Sequence, residues 1–166
     1  MVFCSNEEAD MAIPASVHDY LDREGVHYDV IAHAATRDAA HTAQAARVPG
    51  DRLAKSVVLE DDSGYLMAII PASHRLDLQA IGRELSRELV LASERELAGL
   101  FEDCEPGAVP PLGQAYGLDV VVDRNLTDTP DIYFEAGDHL SLIHVSGQDF
   151  RRLMADSLQR NISHHL

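Results

Sequence analysis

The sequence predicts a mixed α/β fold, a curved mixed β-sheet or partial barrel flanked by helices. Three observations lead there. Short apolar, β-branched runs alternate along the chain with helical patterns. Several neighbouring strands are joined by turns too short for a parallel crossover, so the sheet has to contain antiparallel pairs. The chain of 166 residues, 46% hydrophobic and 25% charged, suits one globular domain with a core of its own.

The elements follow in order. Pro14-Ala15-Ser16 opens a helix with Val17, Tyr20 and Leu21 on one face, and Gly25 ends it. Residues 27–32 read as a strand, and the alanine-rich stretch 39–48 as a helix closed by Pro49-Gly50. Residues 53–60 and 65–70 are apolar runs joined by Asp61-Asp62-Ser63-Gly64, a hairpin signal. Residues 76–85 read as a helix and 88–92 as a short strand. Ser93 with Glu96 makes a capping box for a helix reaching about Phe101. Three prolines and two glycines between Glu105 and Gly113 forbid a helix and fix a stiff loop. Residues 118–123, 132–136 and 140–145 are strand-like, and Ser146 caps a last helix carrying Phe150, Leu153 and Met154. Residues 1–13 are expected to be a flexible extension, 14–156 the folded domain and 157–166 a frayed tail.

Composition narrows the function. A net charge of −15 argues against broad adhesion to nucleic acid or anionic lipid, so any RNA contact has to be local or shared with a partner. The first ten residues have neither a basic n-region nor a long apolar stretch, and no run reaches the length of a membrane span. A cytoplasmic acidic protein is the expectation. Cys4 and Cys104 form no CxxC pair, and nothing in the sequence activates Cys104.

Arginine occurs twelve times and lysine once, as Lys55, where the chain enters the run Ser56-Val57-Val58-Leu59. Lysine is a compact point charge on a thin stem, and arginine a wide planar fork. A lysine retained at the mouth of a buried strand is either a site residue or an ordinary snorkelling side chain. In the proline-glycine loop, Gly107, Ala108 and Val109 offer N–H groups for a carbonyl or oxyanion, and Pro110 and Pro111 offer none. The loop could equally be a stiff connector. Gly137-Asp138-His139 reads first as a tight turn, but His139 is the histidine best placed for proton relay. His18, His27, His33, His41, His74 and His144 show no metal-ligand spacing, and His164 and His165 lie at the expected frayed end, where a metal site would be adventitious. No metal and no cofactor are expected. P-loop, dinucleotide fingerprint and nucleophile elbow are all missing, which leaves water attack on an activated carbonyl as the chemistry to expect of an enzyme.

Taken in order, Thr42-Ala43-Gln44-Ala45-Ala46, Leu53-Ala54-Lys55-Ser56-Val57-Val58, Leu76-Asp77-Leu78, the loop Glu105 to Gly113 and Gly137-Asp138-His139 resemble the YbaK/EbsC family, the aminoacyl-tRNA deacylase domain also found inserted in prolyl-tRNA synthetases. The resemblance implies metal-free hydrolysis of a mischarged tRNA carrying a small amino acid of the Ala, Cys or Ser class, acting in trans. It nominates Lys55 for the charged acceptor end, Gly107 for the carbonyl and His139 for the pocket. Thr42, Ala108, Val109, Pro110, Pro111, Gly113, Gly137 and Asp138 would bind substrate. Expected partners are aminoacyl-tRNA and a synthetase; monomer and weak homodimer are both allowed. The rival is a non-catalytic module of the same fold that binds an aminoacyl-like ligand or a partner protein. A basic patch of Arg37, Arg47, Arg52 and Arg75 around the pocket would favour tRNA.

Overall fold

The computed structural model describes residues 13–34, 39–105 and 107–166. In chain order the elements are α1 (Ala15–Arg23), β1 (Asp29–Ala32), α2 (Ala39–Ala46), a 3-10 turn (Gly50–Arg52), β2 (Leu53–Asp61), β3 (Gly64–Pro71), β4 (His74–Leu76), α3 (Leu78–Leu85), β5 (Val90–Leu91), α4 (Glu94–Leu100), a second 3-10 turn (Gly113–Tyr116), β6 (Asp119–Asp123), α5 (Arg124–Thr127), β7 (Asp131–Glu135), β8 (Ser141–Ser146), α6 (Gly147–Leu153), β9 (Leu158–Arg160) and β10 (Ser163–His165). No helix among the described residues is long and apolar enough to cross a membrane.

The main sheet runs β1-β8-β7-β2-β3-β6-β9, with β5 also on β2, and β4 and β10 form a separate two-stranded ribbon. It is mixed, as predicted. The β2–β3 hairpin is antiparallel from Ala54↔Pro71 to Asp61↔Gly64. Its turn holds because Gly64 takes φ +126° and the Asp61 carboxylate accepts from the Ser63 N–H at 2.8 Å. β3–β6, β6–β9 and β2–β7 are parallel.

Side chains alternate across a pleated strand, so each strand serves two layers. On one face, Met67, Ile69, Val122, Phe134 and Ile143 bury against α1 and α6. On the other, Leu59, Leu66 and Ile70 pack with Ile81 of α3, while Leu53 and Leu142 pack with Ala43 of α2. The predicted capping box is present, with Ser93 and Glu96 each bonding the other's backbone N–H.

Three expectations change. The helix expected over 76–85 begins at Leu78, because Asp77 caps it by accepting from the Ala80 N–H, and the residues before it form β4. Residues 157–166, expected to fray, contain β9 and β10 instead. The cause is non-local. Fully buried Asp123, at the end of β6, accepts from Asn125 N–H and Asn125 Nδ2 at 2.8 and 2.7 Å, and from Ile162 N–H and Ser163 Oγ at 3.1 and 2.7 Å. Four donors saturate the carboxylate, and two of them belong to the C-terminal segment. Of the predicted extension 1–13, residues 1–12 lie outside the described residues, and Ile13 is buried.

Replacing Asp123 with Ala strands buried donors on both sides of the carboxylate. Urea unfolding of Asp123→Ala is expected to show a loss of at least about 2 kcal/mol, with amide exchange in β10 rising before that in β6.

Candidate active site

Lys55 stands third in β2, and its neighbour across the parallel seam is β7. The registered pairs there are Leu53↔Tyr133 and Ala54↔Phe134. One residue further, Lys55 and Glu135 share the sheet face of Leu53 and Tyr133. Lys55 is half-buried, and its Nζ donates to the carbonyl of His74 at 2.9 Å. That bond ties the ammonium to β4 and fixes where the charge sits.

Glu135 is buried, and so is His33, which follows β1 on the same face and continues the ladder by donating its N–H to Leu140 O at 2.8 Å. His33 Nε2 lies 3.4 Å from Glu135 Oε2, and its Nδ1 is 2.7 Å from the Ala34 carbonyl. Because a carbonyl only accepts, Nδ1 carries the proton. Burial pulls the imidazole pKa down, but the Glu135 carboxylate, the Ala34 carbonyl and the charge of Asp138 outweigh it and carry it above its usual value. Neither Glu135 oxygen has a hydrogen bond of good geometry among the described residues. A buried carboxylate in that state is a natural receptor for a cationic group.

His139 closes the arrangement. It occupies the left-handed region at φ +62°, and its ring stands edge-on to His33, with centroids 6.4 Å apart. A Cβ placed on Gly107 would lie 3.9 Å from His139 Cε1, so the proline-glycine loop and the Gly137 turn meet at this point. Glu105 N–H donates to Gly137 O at 2.8 Å, and Ser56 Oγ donates to Val109 O at 2.8 Å, so the loop is anchored at both ends. Gly107 is exposed at φ +81°, a conformation that leaves its backbone open to a ligand.

Several nominated residues turn out to build the frame. The Ala108 N–H is spent on Glu105 O at 3.1 Å and the residue is fully buried, so it cannot serve a carbonyl ligand; Gly107 and Val109 are the N–H groups left to consider. Asp138 accepts from Leu140 N–H, Ser141 N–H and Ser141 Oγ at 2.8–2.9 Å, which makes it the organiser of the turn. Gly113 is packed so tightly that a Cβ would lie 2.7 Å from Val120 Cγ2, and Pro110 and Pro111 are buried beside it. Gly137 is also internal: a Cβ there would lie 2.9 Å from Pro14 and 3.3 Å from Cys104 Sγ. Thr42 is fully buried on α2. Pro106 lies outside the described residues. Burial pushes the Cys104 thiol up to about 12, so no thiolate nucleophile forms there.

Of the expected basic patch, Arg37 lies outside the described residues. Arg52 pairs with Asp131 at 3.4 Å, while Arg47 and Arg75 are exposed. Sequence reasoning passed over His33 and Glu135. The signal was an acidic residue in the otherwise apolar strand Ile132-Tyr133-Phe134-Glu135-Ala136, next to the glycine turn.

The family described as the aminoacyl-tRNA editing domain matches residues 33–153. The chain is 24% identical to a solved protein proposed as a trans-editing enzyme for prolyl-tRNA synthetase; the match covers 92% of this chain and 99% of that one, at a TM-score of 0.78. It is also 24% identical to a proposed signal transduction protein of Marinobacter aquaeolei VT8, covering 91% of this chain and 31% of that one, at a TM-score of 0.75. Both likenesses establish the fold. No curated protein sequence matches.

Two predictions follow from this geometry. In Glu135→Gln the His33 imidazole should titrate lower than in wild type by proton NMR. Since its folded value lies above the ordinary 6.5, His33 adds stability that is complete below that pH and fades as pH rises through the folded value. Gly137→Ala forces a left-handed φ of +110° and collides with Pro14. It should cost about 1–3 kcal/mol, read as a lowered midpoint in thermal unfolding.

Proposed function

Because this chain belongs to the aminoacyl-tRNA editing domain family, we propose that it hydrolyses the ester of a mischarged aminoacyl-tRNA, acting in trans on a small amino acid of the Ala, Cys or Ser class. The observation that carries this reading is the meeting of exposed Gly107 with His139, beside a buried Glu135–His33 pair on the sheet face of Lys55.

In this reading the Lys55 ammonium, already aimed by the His74 carbonyl, holds the charged acceptor end. The Gly107 N–H polarises the ester carbonyl and stabilises the oxyanion as it develops. Glu135 faces the α-ammonium of the aminoacyl group, with His33 beside it. A water attacks the carbonyl carbon, with the terminal ribose hydroxyl of the tRNA helping to position it. The bond from carbon to the ribose oxygen breaks, that oxygen takes a proton, and the amino acid leaves as the free acid. His139 walls the pocket. The buried Pro110-Pro111 backing keeps it narrow, which suits a small side chain.

The charge of −15 and the Arg52–Asp131 pair leave little cationic surface for a long RNA, so a synthetase that holds the body of the tRNA is the natural partner. Both would meet in the cytoplasm.

The test is deacylation of a panel of Ala-, Cys-, Ser- and Pro-charged tRNAs. Wild type should turn over one mischarged species, and both Lys55→Ala and Lys55→Arg should lower the rate by about 100-fold. No turnover of any species, even with a synthetase present, would leave the binding-module reading in its place.

A further inference from the structure

We propose that Asp51, His74 and His165 form a binding site for a divalent transition ion of borderline softness, zinc being the representative case. The residues come from three places: the 3-10 turn before β2, strand β4 and strand β10. In the antiparallel β4–β10 ribbon His165 lies directly opposite His74. Their rings are 5.2 Å apart between centroids. One ligand-capable atom from each of the three residues lies within 4.8 Å of the other two, and His165 Nε2 is 3.8 Å from Asp51 Oδ1.

The hydrogen bonds around the two imidazoles fix their tautomers. His165 Nδ1 is 2.9 Å from the Leu166 main-chain oxygen, which can only accept, so Nδ1 carries the proton and Nε2 presents its lone pair. For His74 the argument takes one more step. Ser163 Oγ donates its only hydrogen to the buried Asp123 carboxylate at 2.7 Å, so at 2.9 Å it must accept from His74 Nδ1. His74 Nε2 is therefore also a lone-pair nitrogen. Ligating histidines characteristically hand their second N–H to a carbonyl or to a carboxylate-linked group, which orients the ring and raises its basicity. Both rings here have that support before any ion arrives. Asp51 is oriented in turn, accepting from Ser73 Oγ.

Two imidazoles and one carboxylate suit zinc, cobalt, nickel or copper rather than the all-oxygen shells of calcium and magnesium. Tetrahedral zinc bonds of about 2.0–2.1 Å set the ligand atoms roughly 3.4 Å apart. The side chains of Asp51 and His165 are 69% and 66% exposed, so both are free to close that small gap around the anchored His74. Three protein ligands leave one position open to water. The expectation that the two C-terminal histidines belong to a frayed end fails for both, because β10 is paired and pinned through Asp123.

The ion would clasp β10 to the turn that leads into β2. It would also brace His74, whose carbonyl holds Lys55 Nζ. The site shares no ligand with the proposed hydrolytic centre and stands whether or not that reading does.

The test uses the untagged full chain, freed of metal by chelator dialysis and titrated with zinc by calorimetry and thermal unfolding. One equivalent should bind and raise the unfolding midpoint. His165→Gln and Asp51→Asn, both at exposed positions, should each weaken binding by at least about 10-fold. His164→Gln, whose ring faces Asp77 instead, should bind as wild type does. Failure to bind a stoichiometric ion, undiminished binding by His165→Gln, or equal loss in His164→Gln would each overturn the proposal.

Discussion

The whole arrangement hangs on a two-residue seam. Along the sheet, β1, β8 and β7 form one antiparallel group and β2, β3, β6 and β9 a second, mixed group, and the path joins them through Leu53↔Tyr133 and Ala54↔Phe134. The pairs point to opposite faces. Ala54 and Phe134 lie in the cluster roofed by α1 and α6, and Leu53 and Tyr133 in the one under α2. A ladder this short gains little from its own hydrogen bonds; burial on both sides holds it. Once the seam is set, Lys55 and Glu135 fall on the same sheet face.

What surrounds the seam explains why the polar residues there are so firmly placed. The turn from Gly137 to Leu140 is organised by the Asp138 carboxylate; Glu105 ties the neighbouring loop to that turn, and Ser56 ties the loop to β2. Rigid anchoring of this kind means that donors and charges need no rearrangement when a ligand enters, the condition under which electrostatic stabilisation is most effective. In the proposed reaction the framing residues matter as much as the groups they hold.

Local signals in the sequence carried most of the fold. The hairpin turn at Asp61 to Gly64, the Ser93–Glu96 capping box and the strand-like runs of β7 and β8 are all short-range, and each appears where the residues indicate. Lys55 stands out as the one lysine among twelve arginines, and its role belongs to the proposal. The rest depends on distant partners. Ser163-His164-His165 shows no apolar alternation, and it becomes a strand only because Asp123, about forty residues earlier, captures Ile162 and Ser163. Ala108 and Asp138 close their hydrogen bonds on the chain itself, which no local pattern reveals. The pairing of His33 with Glu135 joins residues about a hundred positions apart, beyond the reach of any periodicity.

The half-buried setting of Lys55 has a consequence for the chemistry of the protein's surface. Among these 166 residues it is the only side-chain amine, and its nitrogen is engaged with the His74 carbonyl inside the fold. Acylating reagents, sugars and lysine-modifying enzymes therefore find a single lysine, half-buried and hydrogen-bonded, to attack. Any that does react by this route reaches a residue of the proposed site. Covalent lysine damage is thus confined to one position in the fold.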